Sequence, residues 1–398
     1  MLASKVRSSV SRDLLVGLIS TGIYFFASQL VMSVLARYSR DLGIDVASTG
    51  FVWSLLFLVA FLLRPLAGYI ADRTSSYLAM SLGCLFMVMA AMMYLSSSNL
   101  NELITGRILQ GVAAAYFISP SIAAVATAAG VKAGLALGIR SMLISLTSIV
   151  VPPLAGALVD SIGYSPVFIM TALLAGFLVI FNALEAKRVG FKYASKSFRS
   201  SWKEALNKVV ILVTITALFN GILFLTLTGI LQAHYRDLGY EAKIYGYYMM
   251  FFGLSSIVSR YIAGKLSSQK NPALIATIGH IITTASIYML RHMYYAPLSY
   301  IVALIYGFGI GLTIPTQQLL VAYSVSEGAR NRAISIYAMG FDLGGFIGPL
   351  IYGSIASVYG YVVSYQYMVL IPVASVALMT YLAIKLSSGE LRIVGIKI

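Results

Sequence analysis

The stretch Arg64-Pro65-Leu66-Ala67-Gly68-Tyr69-Ile70-Ala71-Asp72-Arg73 closes a long apolar run with a proline, a glycine and a charged pair. A shorter copy, Arg260-Tyr261-Ile262-Ala263-Gly264-Lys265-Leu266, closes another apolar run 196 residues later. The same interval separates Gly68 from Gly264, Pro153 from Pro349, and Asp41-Leu42-Gly43 from Asp237-Leu238-Gly239. One interval carried through unrelated landmarks means that the chain is built twice on one plan.

Only 10% of the 398 residues are charged and 59% are hydrophobic, whereas a soluble domain carries about 25% charged residues. The chain is therefore integral to a membrane. Its net charge of +15 sits in short loops between apolar runs, where the cytoplasmic bias of Lys and Arg explains it without nucleic acid. Cys84 is the sole cysteine, so an intrachain disulfide or a cysteine metal cluster is excluded. His234, His280 and His292 show no ligand spacing, and no metal or cofactor is expected. His280, within an apolar segment, reads as a packing residue. Lys5, Arg7 and Arg12 precede an apolar run reaching about Ala36. That is too long for the roughly 7–15-residue core of a secretory signal, and it reads as a first membrane helix.

Apolar segments near the ~20 residues that span a bilayer fall at 14–36, 47–70, 78–96, 103–125, 134–158 and 165–185, then at 209–232, 244–266, 273–291, 297–323, 333–356 and 365–386. Uninterrupted runs of this length are helices, not barrel strands. The fold expected is an all-α membrane protein of twelve transmembrane helices in two six-helix bundles related by a pseudo-twofold axis. The bundles are residues 1–186 and 208–398, with a cytoplasmic linker at 187–207. Loop charge places both termini in the cytoplasm: Arg73, Lys132, Lys187, Arg188, Lys265, Arg330, Arg332 and Lys385 fall on that side, against Arg37, Arg40, Arg236, Lys243 and Arg291 on the other. In the linker, Phe198, Trp202 and Leu206 recur every four residues, which predicts a short helix lying at the membrane interface against lipid headgroups. Gly340, Gly344 and Gly348 share one face of the eleventh segment and predict a close-contact seam. Gly307, Gly309 and Gly311, just before Pro315, predict a bending point.

These residues carry a resemblance to the major facilitator superfamily over essentially the whole chain. Gly68-Tyr69-Ile70-Ala71-Asp72-Arg73 resembles the start of its signature between helices 2 and 3, although Thr74-Ser75-Ser76-Tyr77 replace the glycine and basic residues that follow. Arg107-Ile108-Leu109-Gln110-Gly111 resembles its Arg-x-x-Gln-Gly element. Val151-Pro152-Pro153-Leu154-Ala155-Gly156 resembles the helix 5 motif associated with exporters, with Pro152 where glycine is usual. The resemblance implies a secondary active transporter, a monomer in the cytoplasmic membrane that works by alternating access. It also implies a cavity lined by helices 1, 4, 7 and 10, which places Tyr24, Asn220 and Gln317 among substrate contacts. Gly68, Asp72 and Arg73 then act as a conformational gate. Arg107 joins them as a brace near the outer boundary and Glu102. No Gly-Lys-Ser/Thr phosphate loop is present, so a proton gradient is the expected drive.

Ionisable residues inside a membrane are costly and mark function. Arg64 lies eight residues before Asp72, Arg140 eight after Lys132 and Arg260 eight before Ser268, about 12 Å from the inner boundary at 1.5 Å per residue, and Asp342, ten after Arg332, lies about 15 Å deep. Where helices 2 and 11 adjoin, Arg64 and Asp342 are placed to pair. Where helices 5 and 8 adjoin, Arg140 and Arg260 face one another as like charges. Arginine keeps its proton, so the excess positive charge calls for an anion held by guanidinium forks. Arg64, Arg140 and Arg260 are thus substrate-binding candidates. Asp342 is either the proton carrier or a fixed partner of Arg64. The substrate expected is a small organic or inorganic anion, and the alternative is proton-driven export of drugs or other amphipathic compounds. A membrane enzyme or a receptor is the remote alternative, because no nucleophile–base set appears at membrane depth.

Overall fold

Apolar runs in lipid have no water to satisfy their peptide groups, so they close their hydrogen bonds within a helix. The structure, a computed structural model, describes residues 2–130, 133–190, 205–267 and 270–391. Within these, the side chains of residues 2–11, 133–135 and 327–328 and of Asp72 and Asn331 are outside the description. All secondary structure among the described residues is helical. The helices are α1 (Leu2–Met32), α2 (Leu35–Asp41), α3 (Val46–Arg73), α4 (Ser76–Ser96), α5 (Leu100–Ala129), α6 (Ala133–Ile162) and α7 (Ser165–Val189). There follow α8 (Lys208–Asp237), α9 (Ala242–Ser267), α10 (Pro272–Leu290), α11 (Leu298–Tyr323), α12 (Glu327–Tyr359), α13 (Tyr361–Met368) and α14 (Leu370–Ser387). The interfacial helix expected around Phe198 and Trp202 lies outside the described residues.

Eleven of these passes are long and apolar enough to cross a membrane. The remaining long helix, α9, falls short on composition because it carries Lys243, Arg260, Lys265, four tyrosines, four serines and three glycines along one pass. The last pass is broken into α13 and α14. Pro372 has no N–H for the carbonyl of Met368 and its ring clashes there, so the helix restarts after Val369. Helix starts are capped by side chains where the chain re-enters: Ser75 accepts from the Leu78 amide, Asn99 from Glu102 and Asn207 from Val210. Gly360 turns the chain between α12 and α13 at φ 88°, a conformation only glycine adopts freely. On α7, Leu173, Phe177, Ile180 and Leu184 are all more than half exposed at three- and four-residue spacing. This is an apolar stripe suited to lipid, as befits a multi-pass integral membrane protein.

The chain divides into two compact units, Met1–Ile44 with Leu55–Lys196 and Glu241–Gly246, and Asp45–Ser54 with Ser197–Tyr240 and Tyr247–Ile398. In the first, α4 packs on α5 and α7. A side chain at Gly83 would meet the Ala113 carbonyl at 2.9 Å, and one at Gly111 the Leu56 carbonyl at 2.9 Å. The first turn of α9 belongs to this unit. Asp160 on α6 accepts from the amides of Ala242 (2.7 Å) and Lys243 (2.9 Å), and Gly246 lies against the backbone of Pro153.

In the second unit the predicted glycine seam is present. Gly340, Gly344 and Gly348 meet Thr214, Leu218 and Ile222 of α8 so closely that an added Cβ would stand 2.7 Å or less from a backbone oxygen at each. The early turns of α3 belong here as well: Trp53 covers Gly229 and donates to the Leu225 carbonyl at 2.7 Å. The glycines of α11 serve close contact. Gly307 and Gly311 seat the α9 backbone at Phe252 and Ser256, Gly309 seats α10 at Gly279, and α11 runs unbroken through Pro315.

Candidate functional site

In the first unit, α1, α5 and α6 bring a permanent cation into an aromatic niche. Arg140 is only 6% exposed. Its Nη2 donates to Ser121 Oγ at 2.8 Å, its guanidinium stands 5.7 Å from the Phe25 ring, and its Nε is buried without a hydrogen-bond partner. Ser121 is itself spent on the Ile118 carbonyl, so it accepts from Arg140 without carrying charge. One turn before Ser121, Phe117 stacks on Tyr24 with ring centroids 3.7 Å apart. Tyr24 is 1% exposed and its hydroxyl, like Arg140 Nε, has no partner. A buried cation and an open hydroxyl thus sit on one aromatic scaffold of Tyr24, Phe25 and Phe117. The niche can bind a planar or apolar body carrying an anionic or strongly accepting group, because a buried guanidinium gains most from a charged acceptor. The predicted Tyr24 and Arg140 therefore come together. Phe25, Phe117 and Ser121 were missed; the four-residue spacing of Phe117 and Ser121 on the fourth segment was the available signal.

Ser20, on the same stripe of α1 as Tyr24, is committed to Asn182 Oδ1 at 2.9 Å. Gln29 donates to Ser148 Oγ at 2.9 Å. Arg64 is half-buried on α3. Arg73 is exposed, with its guanidinium 4.4 Å from the Tyr69 ring. The Asp72 side chain lies outside the described residues. A Cβ at Gly68, or at its repeat Gly264, would meet nothing within 4 Å, so nothing in the packing here explains either glycine.

Arg107 stands on α5, one turn before Gln110. It is fully buried and donates to Gln110 Oε1 at 2.8 Å and to Met32 Sδ at 3.2 Å, while Tyr94 donates to the same Gln110 oxygen at 2.9 Å. Glu102 instead takes the backbone N–H of Ser98. The reason is helical geometry: residues three apart share a face, whereas residues five apart lie on different faces. Arg107 is a buried brace on Gln110.

In the second unit, the two polar residues predicted to contact substrate bind each other. Asn220 Nδ2 on α8 donates to Gln317 Oε1 on α11 at 3.0 Å, and Gln317 Nε2 donates to Thr216 Oγ1 at 2.9 Å. His280 on α10 joins them through Nε2, 3.1 Å from Gln317 Nε2, and Tyr337 on α12 reaches Gln317 Oε1 at 3.3 Å. Arg260 on α9 is half-buried. Asp342 is 7% exposed at the middle of α12. The expected pairings of Arg64 with Asp342 and of Arg140 with Arg260 each take one residue from each unit, and each residue stands here in its own.

Three carboxylates are buried among the described residues: Asp13, Glu185 and Asp342. Asp13 and Glu185 both bind Arg188, which donates to Glu185 at 3.0 Å through Nε and also to Asp13 through Nη2. That pair of acids is thereby tied to a structural cation near the start of α1 and the end of α7. His, Cys, Asp and Glu form no group able to hold a metal among the described residues.

The sequence model described as the Major Facilitator Superfamily matches residues 17–349. The multidrug resistance protein MdtG of Enterobacter lignolyticus (strain SCF1) is 26% identical over 363 residues, 87% of this chain and 85% of its own. Among solved structures, a bacterial homologue of the human lysosomal transporter Spinster superposes with a TM-score of 0.78 at 13% identity, over 95% of this chain and 98% of its own. The nucleoside transporter NupG gives 0.75 at 16% identity, over 93% of this chain and 99% of its own. At those identities the likeness is one of fold.

Proposed function

Because the chain belongs to the major facilitator superfamily of transporters, we propose that it is a proton-driven exporter of amphipathic organic compounds whose anionic or accepting group is received by Arg140. The observation that carries this reading is the niche of Arg140. Its guanidinium is buried, hydrogen-bonded to one neutral hydroxyl, walled by Phe25, and left with an unpartnered Nε. Burying a charge without a countercharge is costly, and a substrate anion offsets that cost only while bound. The aromatic floor of Tyr24 and Phe117 favours an apolar body over a bare inorganic ion. Similarity along most of its length to a multidrug resistance protein supports export of such compounds. The small-anion and amphipathic-substrate readings meet in this one site.

Asp342 is the proposed proton carrier. It stands 15 residues from one end of α12 and 17 from the other, and unlike Asp13 and Glu185 it is at membrane depth, where a carboxyl alternates most readily between charged and neutral forms. Arg64 and Arg260 are further anion contacts in this reading, with Gly68, Asp72 and Arg73 as the gate and both termini cytoplasmic.

The test is uptake into proteoliposomes under an acid-interior gradient, with taurocholate as an amphipathic sulfonate and ethidium as a lipophilic cation. Wild type accumulates taurocholate, and Arg140→Gln lowers that uptake by about tenfold or more, the worth of one charge-assisted bond. Arg140→Gln that carries taurocholate at the wild-type rate sinks the site. Asp342→Asn that still accumulates it uphill sinks the coupling assignment. A wild type that moves ethidium and not taurocholate overturns the acidic-substrate reading.

A further inference from the structure

In the second unit, the start of α10 and the end of α14 enclose a groove of about 490 Å³. Asn271, Leu274 and Thr277 line one wall, and Ala383, Ile384 and Ser387 line the other. Its chemistry changes with depth. At the helix ends, Asn271 caps α10 by accepting from the Ala273 amide at 2.9 Å, and its Nδ2 reaches across to the Ala383 carbonyl and to Ser387 Oγ, both at 3.2 Å. Ser387 is the acceptor in that bond, so it keeps its own proton to donate. About one turn further in, Leu274 and Ile384 are 48% and 60% exposed. A turn beyond, the Thr277 hydroxyl is spent on the Ala273 carbonyl at 2.9 Å. The groove therefore has a polar rim and an apolar body.

Cations gather at the rim. Lys208, which opens α8, donates to the Tyr381 hydroxyl at 3.1 Å, and Lys385 Nζ lies 5.9 Å from the Tyr381 ring. Tyr381 stands one turn before Lys385 on α14 and next to the groove wall at Ile384. Lys270 is exposed and adjoins Asn271 in sequence. The carboxylate among them is Glu390, which is tied to Lys385 and receives Ser388 Oγ at 3.4 Å. Lys208, Lys270 and Lys385 against Glu390 leave an excess of positive charge at the rim.

We propose that this groove binds an anionic phospholipid, its phosphate accepting from Ser387 and the rim lysines while an acyl chain lies along Leu274 and Ile384. Each lysine near a membrane surface adds attraction for an anionic headgroup. A free anion would use the rim and leave the apolar walls unused, and a zwitterionic lipid would gain nothing from the excess charge. An anionic phospholipid uses both. Glu390 is the built-in competitor, because its carboxylate holds Lys385 until a phosphate takes its place. The site does not depend on the exporter reading; the orientation proposed above decides only that the lipid comes from the cytoplasmic leaflet.

The experiment places a tryptophan in the groove, Ile384→Trp, and reads its fluorescence in vesicles containing brominated phosphatidylglycerol or brominated phosphatidylcholine. Wild type supplies the background of Trp53 and Trp202. Leu274→Trp, on the opposite wall, reads the same groove independently, and Leu173→Trp, on the exposed stripe of α7, reads bulk lipid. Quenching at both groove positions shows phosphatidylglycerol preferred about fivefold, the effect of about one lysine near a membrane surface, with no preference at Leu173→Trp. Replacing Lys208 and Lys385 together by glutamine removes the preference, and Glu390→Gln increases it. Equal quenching by the two lipids in the groove means bulk lipid only, and quenching by neither means that protein covers the groove; each overturns the proposal. A preference that survives the loss of both lysines overturns it as well. So does a preference abolished by inorganic phosphate but not by chloride at the same ionic strength, because the site is then one for a free anion.

Discussion

Gly344→Ala tests the packing that holds α8 against α12. A Cβ there would stand 2.1 Å from the Leu218 carbonyl oxygen, 2.7 Å from the Ile222 amide nitrogen and 3.0 Å from the Gly221 carbonyl carbon. All three are backbone atoms, so no side chain can rotate out of the way. Restoring ordinary contact requires the helices to part by about 1 Å, and Gly340 and Gly348 are held to the same α8 face, so the gap opens along the seam. Overpacking of this kind costs about 1–3 kcal/mol. Alanine also gains about 1 kcal/mol over glycine in helix propensity, which makes a control necessary. Gly264→Ala supplies it, because a Cβ at Gly264 meets nothing within 4 Å. The propensity gain is common to both variants, so the difference between them isolates the steric cost of about 1–3 kcal/mol. Thermal unfolding of both purified variants in detergent measures it. Gly344→Ala unfolds below Gly264→Ala, and Gly264→Ala at or above wild type. A Gly344→Ala protein as stable as Gly264→Ala would refute the idea that backbone approach at this seam sets the stability of the second unit.

Trp53→Phe keeps a ring over Gly229 but removes the donor to the Leu225 carbonyl; it should lower stability by about 1 kcal/mol, and an unchanged unfolding transition would show that this bond contributes nothing. Asp45 starts α3 from outside the membrane segment, and the Ser48 side chain, then the Ser48 amide at 3.0 Å, hold its carboxyl below the usual carboxylate range. A depressed folded value means that the stabilisation is present above the unfolded value and is lost as pH falls through the folded one. Protection of the Ser48 amide from hydrogen exchange should therefore drop on acidification in wild type and show no such step in Asp45→Ala. The same step in the variant would remove Asp45 as its cause.

Much of the architecture was legible in the sequence because, in lipid, a helix is a local necessity: length and apolarity alone require the backbone to bond within its own segment. That suffices for eleven of the passes among the described residues, and the sequence also carries the repeat at 196 residues and the glycine face of α12. It also suffices to nominate Arg140, Tyr24, Asn220 and Gln317, since polar atoms at membrane depth stand out against an apolar background. Which of these meet was not legible. A helix can rotate about its axis without any change in its hydropathy, and its rotation is set by where glycines admit a neighbouring backbone. Only that rotation brings Arg140 to Ser121 and Phe25, turns Arg107 to Gln110, and converts Asn220 and Gln317 from separate candidates into partners. It also carries His280, a packing residue by sequence, into hydrogen-bond contact with Gln317. The sequence by itself determined that the chain crosses the membrane repeatedly and which polar residues enter with it. The tertiary structure decided which of them share a site, because side-chain contact depends on helix rotation and approach, and both are properties of pairs of helices.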